Sequence, residues 1–319
     1  MKKFIYLLAI FGAVLLGLAY VADDVLSKRL KKSKLRMLVG WNEIYSGNLQ
    51  HEVLIMGGSR AWTQISPVIL DSILGIDSYN LGIDGSSFNR QILKYDTYRR
   101  FNNKPKAIIQ DIGFATIQIT SGYEREQFFP YFFDDSLKTE SAKFEKFNIL
   151  EKYIPAYRYI GYNHLIQEGI FLPVPEAVLT KGYFSIEQKW DGSAFKEQTK
   201  IDYMQDSLVL SSFEKYLAKA YAENIRIIFV YAPMYIGVIE KLQNVAGMYQ
   251  MFDSLARKYD IPILDYQYTP MSYDTASFYN ATHLNRKSAE LFSVQLAHDI
   301  DSLGIFKNFD KNRIKNQQQ

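Results

Sequence analysis

The residues best placed to do chemistry lie in "VLIMGGSRAW", positions 53 to 62, where an apolar run meets two glycines, Ser59 and Arg60. A serine hydroxyl is a weak nucleophile until a base takes its proton. The chain has 4 histidines from which that base must come. His51 precedes the apolar run, His164 falls in an aromatic-rich stretch, and His298 lies deep in the last helical segment. His283, in "FYNATHLNRKSAE", follows the last strand-like run and immediately precedes the last helix. A serine just after the first strand and a histidine just before the last helix meet on one edge of a parallel sheet, where ligands bind. The pair therefore has the order needed for acyl transfer. Read alone, Gly-Gly-Ser before a helix is equally a turn followed by an N-cap. A third stretch, "YNLGIDGSSF" (79–88), places Asn80, Gly82 and Gly85 in a turn whose backbone N–H groups face the same edge, fit to receive an oxyanion. It lacks the Gly-x-Gly-x-x-Gly spacing of a dinucleotide loop, and no phosphate loop occurs elsewhere, so a nucleotide-binding protein is a poor reading.

Positioning these residues requires alternating strands and helices. Apolar runs at 52–57, 77–82, 106–113, 225–232 and 261–266 predict five strands. Helical periodicity predicts helices at 62–75, 86–101, 205–223, 236–259 and 286–303, the last with Leu291, Val294 and His298 on one stripe. The fold class is thus α/β, a three-layer sandwich with a five-stranded parallel, flavodoxin-like sheet, in a domain over 51–305. The alternation breaks at 115–204, where "EQFFPYFFDD", "YIPAYRYIGYNHLIQEGIF" and "KGYFSIEQKWDGS" predict a mostly helical, aromatic-rich insertion on the carboxyl edge of the sheet. Its function-free alternative is an extra packing layer. The tail 306–319, "KNFDKNRIKNQQQ" at its end, reads as polar and disordered.

Composition narrows the class further. A net charge of +3 argues against nucleic acid as a partner, and with 0 cysteines neither thiolate metal sites nor cysteine nucleophiles are possible. The aromatic share of 15% is high; such residues usually fill cores, and a minority suits a groove for sugars or other amphipathic ligands. At the N-terminus, Lys2 and Lys3 precede an uncharged run from Phe4 to Ala22, long enough to nearly span a bilayer, then Asp23 and Asp24. Residues 1–24 read as a signal anchor; Gly17, Ala19 and Ala22 offer the small residues of a cleavable signal peptide, which would leave the protein secreted. The basic stem 25–50, with "SKRLKKSKLR", has affinity for anionic head groups. Counting charges alone favours a cytoplasmic globular part; a lone apolar segment with a short basic start is the ordinary export signal, so the exported side is the expectation.

Together, "MGGSRAW", "NLGIDG" and "NATHLN" followed by "RKSAELFS" resemble, in order, the blocks of the SGNH or GDSL hydrolase superfamily, and more closely its membrane-anchored branch acting on acylated envelope polymers. The resemblance covers roughly residues 50 to 305. It implies a five-stranded parallel sheet between helices, Ser59 as nucleophile and oxyanion donor, Gly85 as second donor, and His283 as general base. Two departures stand out. Where the family has an aspartate before the histidine this chain has Asn280, with Asp274 as a nearby substitute; and "QDIGFATI" lacks the family's Gly-x-Asn-Asp, leaving Asp111 or Gly113 in that neighbourhood. The implied function is a serine esterase or O-acyltransferase acting on acylated cell-envelope glycans or similar esters, with inner-membrane association through the N-terminus and neither metal nor organic cofactor. The alternative, kept open by Asn280, is a catalytically weak relative that binds glycan or an assembly partner through the insertion, including Trp190.

Overall fold

A computed structural model gives the fold, and the structure describes residues 1–85, 87–118, 125–132, 134, 137, 139, 149–171, 180–192 and 200–306. Five apolar runs form one parallel sheet: β1 (Val53–Met56), β2 (Ser78–Asn80), β3 (Ala107–Asp111), β4 (Arg226–Tyr231) and β5 (Ile263–Asp265). Their order is β2-β1-β3-β4-β5, with Val53 beside both Ser78 and Ala107, and Ala107 beside Arg226. The central strands are buried on both faces, which is why they read as continuous rather than alternating apolar runs. The chain runs outward from β1 to β2 and then crosses back to β3, so the crevice outside the carboxyl ends of β1 and β3 is the switch point of the sheet. Ser59 follows β1 directly.

Helices α3 (Ser59–Gln64), α4 (Pro67–Leu74), α5 (Phe88–Phe101), α6 (Ser207–Ala222), α7 (Ile236–Lys241), α8 (Ala246–Tyr259) and α9 (Arg286–Ser302) complete this unit, which comprises 49–121 and 178–319. Two expected helices are each broken in two. Pro67 occupies the first turn of α4 and holds Ser66 extended (φ −84°, ψ 114°), separating α3 from α4. Leu242–Gln243 pairs with Ile201–Asp202, and Asn244 turns at φ 59°, separating α7 from α8. The stripe expected on α9 is also corrected. Leu291 and Val294 are 55% and 37% exposed and His298 is exposed, whereas Ala289, Phe292, Ser293, Leu296, Ala297 and Ile300 are buried. The buried face alternates large with small residues, and those small side chains let α9 lie close against α4. Phe292, Leu296 and Ile300, four residues apart, are the apolar stripe that faces the core.

The other unit comprises 1–48 and 122–177. Its helix α1 (Lys2–Leu30) has a mean hydropathy of 2.4 in its apolar window, is long and apolar enough to cross a membrane, and leaves that window unburied. Beyond it, Asp23 holds Arg158, at 2.7 Å from Nη2 and 3.1 Å from Nε, and accepts the Ala156 N–H; Ser27 Oγ lies 2.9 Å from Tyr159 Oη. The stem read from the basic run is ordered: Ser27, Leu30, Ser33 and Leu35 are buried while the lysines and arginines among them are exposed. It continues into α2 (Arg36–Ser46), which buries Leu38, Trp41 and Ile44. Phe128, Phe129 and Phe132 of "EQFFPYFFDD" are buried in this unit, and Trp41 packs against Phe128 at 5.6 Å. These aromatics form a core here, not a groove. Residues 119–124, 140–148, 172–179 and 193–199 of the expected insertion, and the tail from 307 onward, lie outside the described residues.

Candidate active site

The nucleophile turn is built from backbone. At Gly57, φ is +154°, and a Cβ there would stand 2.6 Å from Ala61 Cβ and 2.8 Å from Asp111 Cβ, so only glycine fits. Gly58 is the N-cap of α3 and Ser59 its first residue. The side chain of Ser59 does not cap the helix, against the simpler sequence reading. Its Oγ lies 2.6 Å from His283 Nε2. At the far end of α3, Gln64 Nε2 donates to Thr282 O at 3.1 Å, so the helix that carries the serine also holds the segment that carries the histidine.

That segment is a hairpin of β6 (Phe278–Asn280) and β7 (His283–Leu284), anchored by fully buried Phe278 and Leu284 and registered so that Asn280 faces His283. Asn280 Oδ1 lies 2.9 Å from His283 Nδ1 and accepts the Thr282 N–H at 3.0 Å. A backbone N–H can only donate, so the amide oxygen, not its NH₂, faces the ring. Nδ1 must then carry the proton, and Nε2 presents its lone pair to the Ser59 hydroxyl, which donates to it. In serine proteases the same Asp-to-Asn change fails through the wrong tautomer; here the right one is fixed. Charge is a separate matter. Burial, and secondarily the Arg60 cation, bring His283 down to about 4, and among the described residues no carboxylate opposes them. Asp274 does not fill the gap: it caps the turn at Thr275–Ser277, accepting from Ala276 N at 3.0 Å and Ser277 Oγ at 3.3 Å.

The remaining expected site residues divide into two groups. Asn80 is buried, with Nδ2 donating to Ala61 O (2.7 Å) and Ile65 O (2.9 Å) and Oδ1 accepting the Gly82 N–H (2.8 Å). A Cβ at Gly82 would meet Trp62 N at 2.5 Å. Asn80 and Gly82 therefore clamp the second loop onto α3, and the Gly82 amide, being engaged, is no oxyanion donor. Arg60 is likewise turned inward: Nη2 reaches Asp111 Oδ2 at 3.3 Å and Ile112 O at 3.1 Å, both partners buried. Burial pushes the Asp111 carboxyl up, while Arg60 and the Ala232 N–H pull it down. This pair ties α3 to the end of β3, and the Gly113 N–H is engaged by Thr116 Oγ1 at 3.0 Å. In the second group, the Ser59 and Gly85 amides meet no acceptor among the described residues. Gly85 sits at φ +58° with its carbonyl held by Arg90 at 2.9 Å, in a loop tied to the serine turn by Ile83 N–H donating to Gly57 O at 3.2 Å.

Of the histidines set aside, His51 lies at 3.0 Å from Asp77, by the amino ends of β1 and β2, and His298 is exposed on α9. Sequence reasoning passed over Thr282, Gln64 and Tyr279, whose ring stacks on His283 at 5.3 Å with 14° between planes. Thr282 and Tyr279 are close to His283 in sequence, but that Tyr279 turns its ring onto the imidazole and that Gln64 reaches the Thr282 carbonyl are tertiary contacts that a single sequence does not mark.

No protein-family model matches the sequence, and no curated protein matches it. Among solved structures the chain is similar to a protein described as lipolytic and of the G-D-S-L family, from Desulfitobacterium hafniense DCB-2. That likeness has 12% identity and a TM-score of 0.41 and covers 77% of this chain and 97% of the other.

Proposed function

We propose that this protein is an SGNH-type serine esterase or O-acyltransferase, held at the membrane by α1 with its globular part on the exported side, acting on acylated envelope glycans or similar esters. The observation that carries the reading is the 2.6 Å contact between Ser59 Oγ and a His283 ring whose tautomer is fixed from behind. Ser59 Oγ attacks the ester carbonyl as its proton passes to His283 Nε2. The oxyanion is received by the uncommitted Ser59 and Gly85 amides, the leaving alcohol takes the proton back, and an acyl-serine remains. Water or a sugar hydroxyl, deprotonated by the same nitrogen, then takes the acyl group, and the choice between them separates hydrolase from transferase. Support for a glycan comes from Trp190, whose backbone N–H donates to Phe278 O on the base hairpin at 2.8 Å and whose ring meets Tyr235 at 5.3 Å, partly exposed.

A fluorophosphonate probe is expected to label the folded chain at Ser59, and Ser59→Ala to abolish labelling and lower ester hydrolysis by about 10³-fold or more. Absence of labelling on folded protein would sink the proposal. The second reading, a weak relative that binds glycan, is favoured by the neutral Asn280 in place of a carboxylate behind His283 Nδ1; it predicts glycan binding that depends on Trp190 and survives Ser59→Ala.

A further inference from the structure

We propose that Tyr279 takes over the charge-stabilising part of the missing acid: its ring face holds the imidazolium of His283, while Asn280, pinned by Thr282, fixes the tautomer. The inference rests on the acyl-transfer reading above and concerns how that site works with no ionised group behind its base.

When Ser59 gives up its proton, His283 becomes a cation in a half-buried position. In the usual arrangement a carboxylate on Nδ1 neutralises it. Among the described residues, Nδ1 meets only the neutral Asn280 Oδ1 (2.9 Å) and Thr282 Oγ1 (3.0 Å). The charged group acting on the ring is Arg60 from α3, itself a cation and only partly offset by Asp111. Asp274, on the same loop, is turned to its own cap. What remains is Tyr279. Its centroid is 5.3 Å from that of the imidazole and the planes differ by 14°, an offset stack that puts a cation formed on the imidazole beside the phenol π-system, within the range of about 6 Å where such attraction is felt. Phe278 and Asn280 hold Tyr279 from either side, one fully buried in the core and the other committed to His283, so the stack is a property of the hairpin rather than of a free side chain.

A ring also does something a carboxylate cannot: it favours the cation without adding a second charge that would itself have to be desolvated. The two duties of the acid, orientation and charge, are thus divided between neighbouring residues of one hairpin.

The test uses the full-length chain in detergent micelles with 4-nitrophenyl acetate. Tyr279→Leu is expected to lower kcat about fivefold with KM unchanged, and to move the His283 titration, followed by imidazole NMR, down by about 0.7 pH unit. Tyr279→Phe, which keeps the ring face, is expected to restore both. A pentafluorophenylalanine at position 279 keeps the shape and reverses the quadrupole; it is expected to behave like the leucine variant, which separates electrostatics from packing should Tyr279→Leu fold poorly. In an Asn280→Asp background the same Tyr279→Leu change is expected to cost less than about twofold, because the carboxylate now carries the charge. Equal rates for the phenylalanine and pentafluorophenylalanine variants, or an undiminished loss in the Asn280→Asp background, would overturn the role of Tyr279. A folded wild-type protein that neither reacts with a fluorophosphonate nor hydrolyses the ester would overturn the acyl-transfer reading itself.

Discussion

The serine turn and the histidine hairpin reach the same 2.6 Å contact by different means. The turn is fixed by backbone that tolerates no Cβ at Gly57. The hairpin is fixed by side-chain hydrogen bonds, Asn280 and Thr282 around the ring and Gln64 from outside. Steric exclusion is all-or-none, whereas a hydrogen-bond network is tunable. The first half of the site is therefore rigid in sequence as well as in space, and the second half is where function can be adjusted.

The sharpest way to break the first half is Gly57→Ala. The new Cβ meets Ala61 and Asp111 below 3 Å at a φ unsuited to alanine, and the variant is expected to lose about 2 to 4 kcal/mol of stability by chemical denaturation, with labelling of Ser59 falling alongside. A change below about 0.5 kcal/mol would show the turn to be as adaptable as the hairpin. For the second half, Asn280→Asp supplies the absent charge. Since an adjacent carboxylate raises an imidazole by about 1 to 3 units, hydrolysis at neutral pH is expected to rise about 10- to 100-fold. If hydrolysis does not rise, the hairpin is not limiting and the weak-binder reading gains.

The smallest effect is on pH. Because burial and Arg60 lower His283 to about 4 in the folded chain, the base stays neutral through mild acid, and kcat/KM is expected to stay level from pH 7 to about 5 and to fall only near pH 4. Stability runs the other way. The unfolded chain binds the proton near 6.5 and the folded one near 4, so this contribution is complete above about pH 7 and declines as pH falls between those values. Denaturation midpoints at pH 7 and 4.5 should differ less in His283→Gln than in the natural chain; an equal difference would assign the acid sensitivity to other groups.

How much of this was legible beforehand follows the same division. The five strands could be read because a parallel sheet buried on both faces leaves continuous apolar runs, and Ser59 and His283 because both sit where strand gives way to helix. The roles of Asn80, Gly82 and Arg60 could not, since a polar residue in a site loop looks the same whether it faces a substrate or the protein. Pro67 announced the break between α3 and α4, yet the helical period continued through it. The company kept by residues 1–48 and 122–177 is long-range, and no local pattern reports it.

Gln64 deserves one last consequence. It grips Thr282 at one end of α3 while Ser59 meets His283 at the other, so a six-residue helix acts as a gauge block between two points of the same hairpin. The hairpin cannot pivot about one contact without opening the second. Whatever motion admits a bulky substrate must therefore come from the other walls of the site, and the working distance between nucleophile and base is preserved while they move.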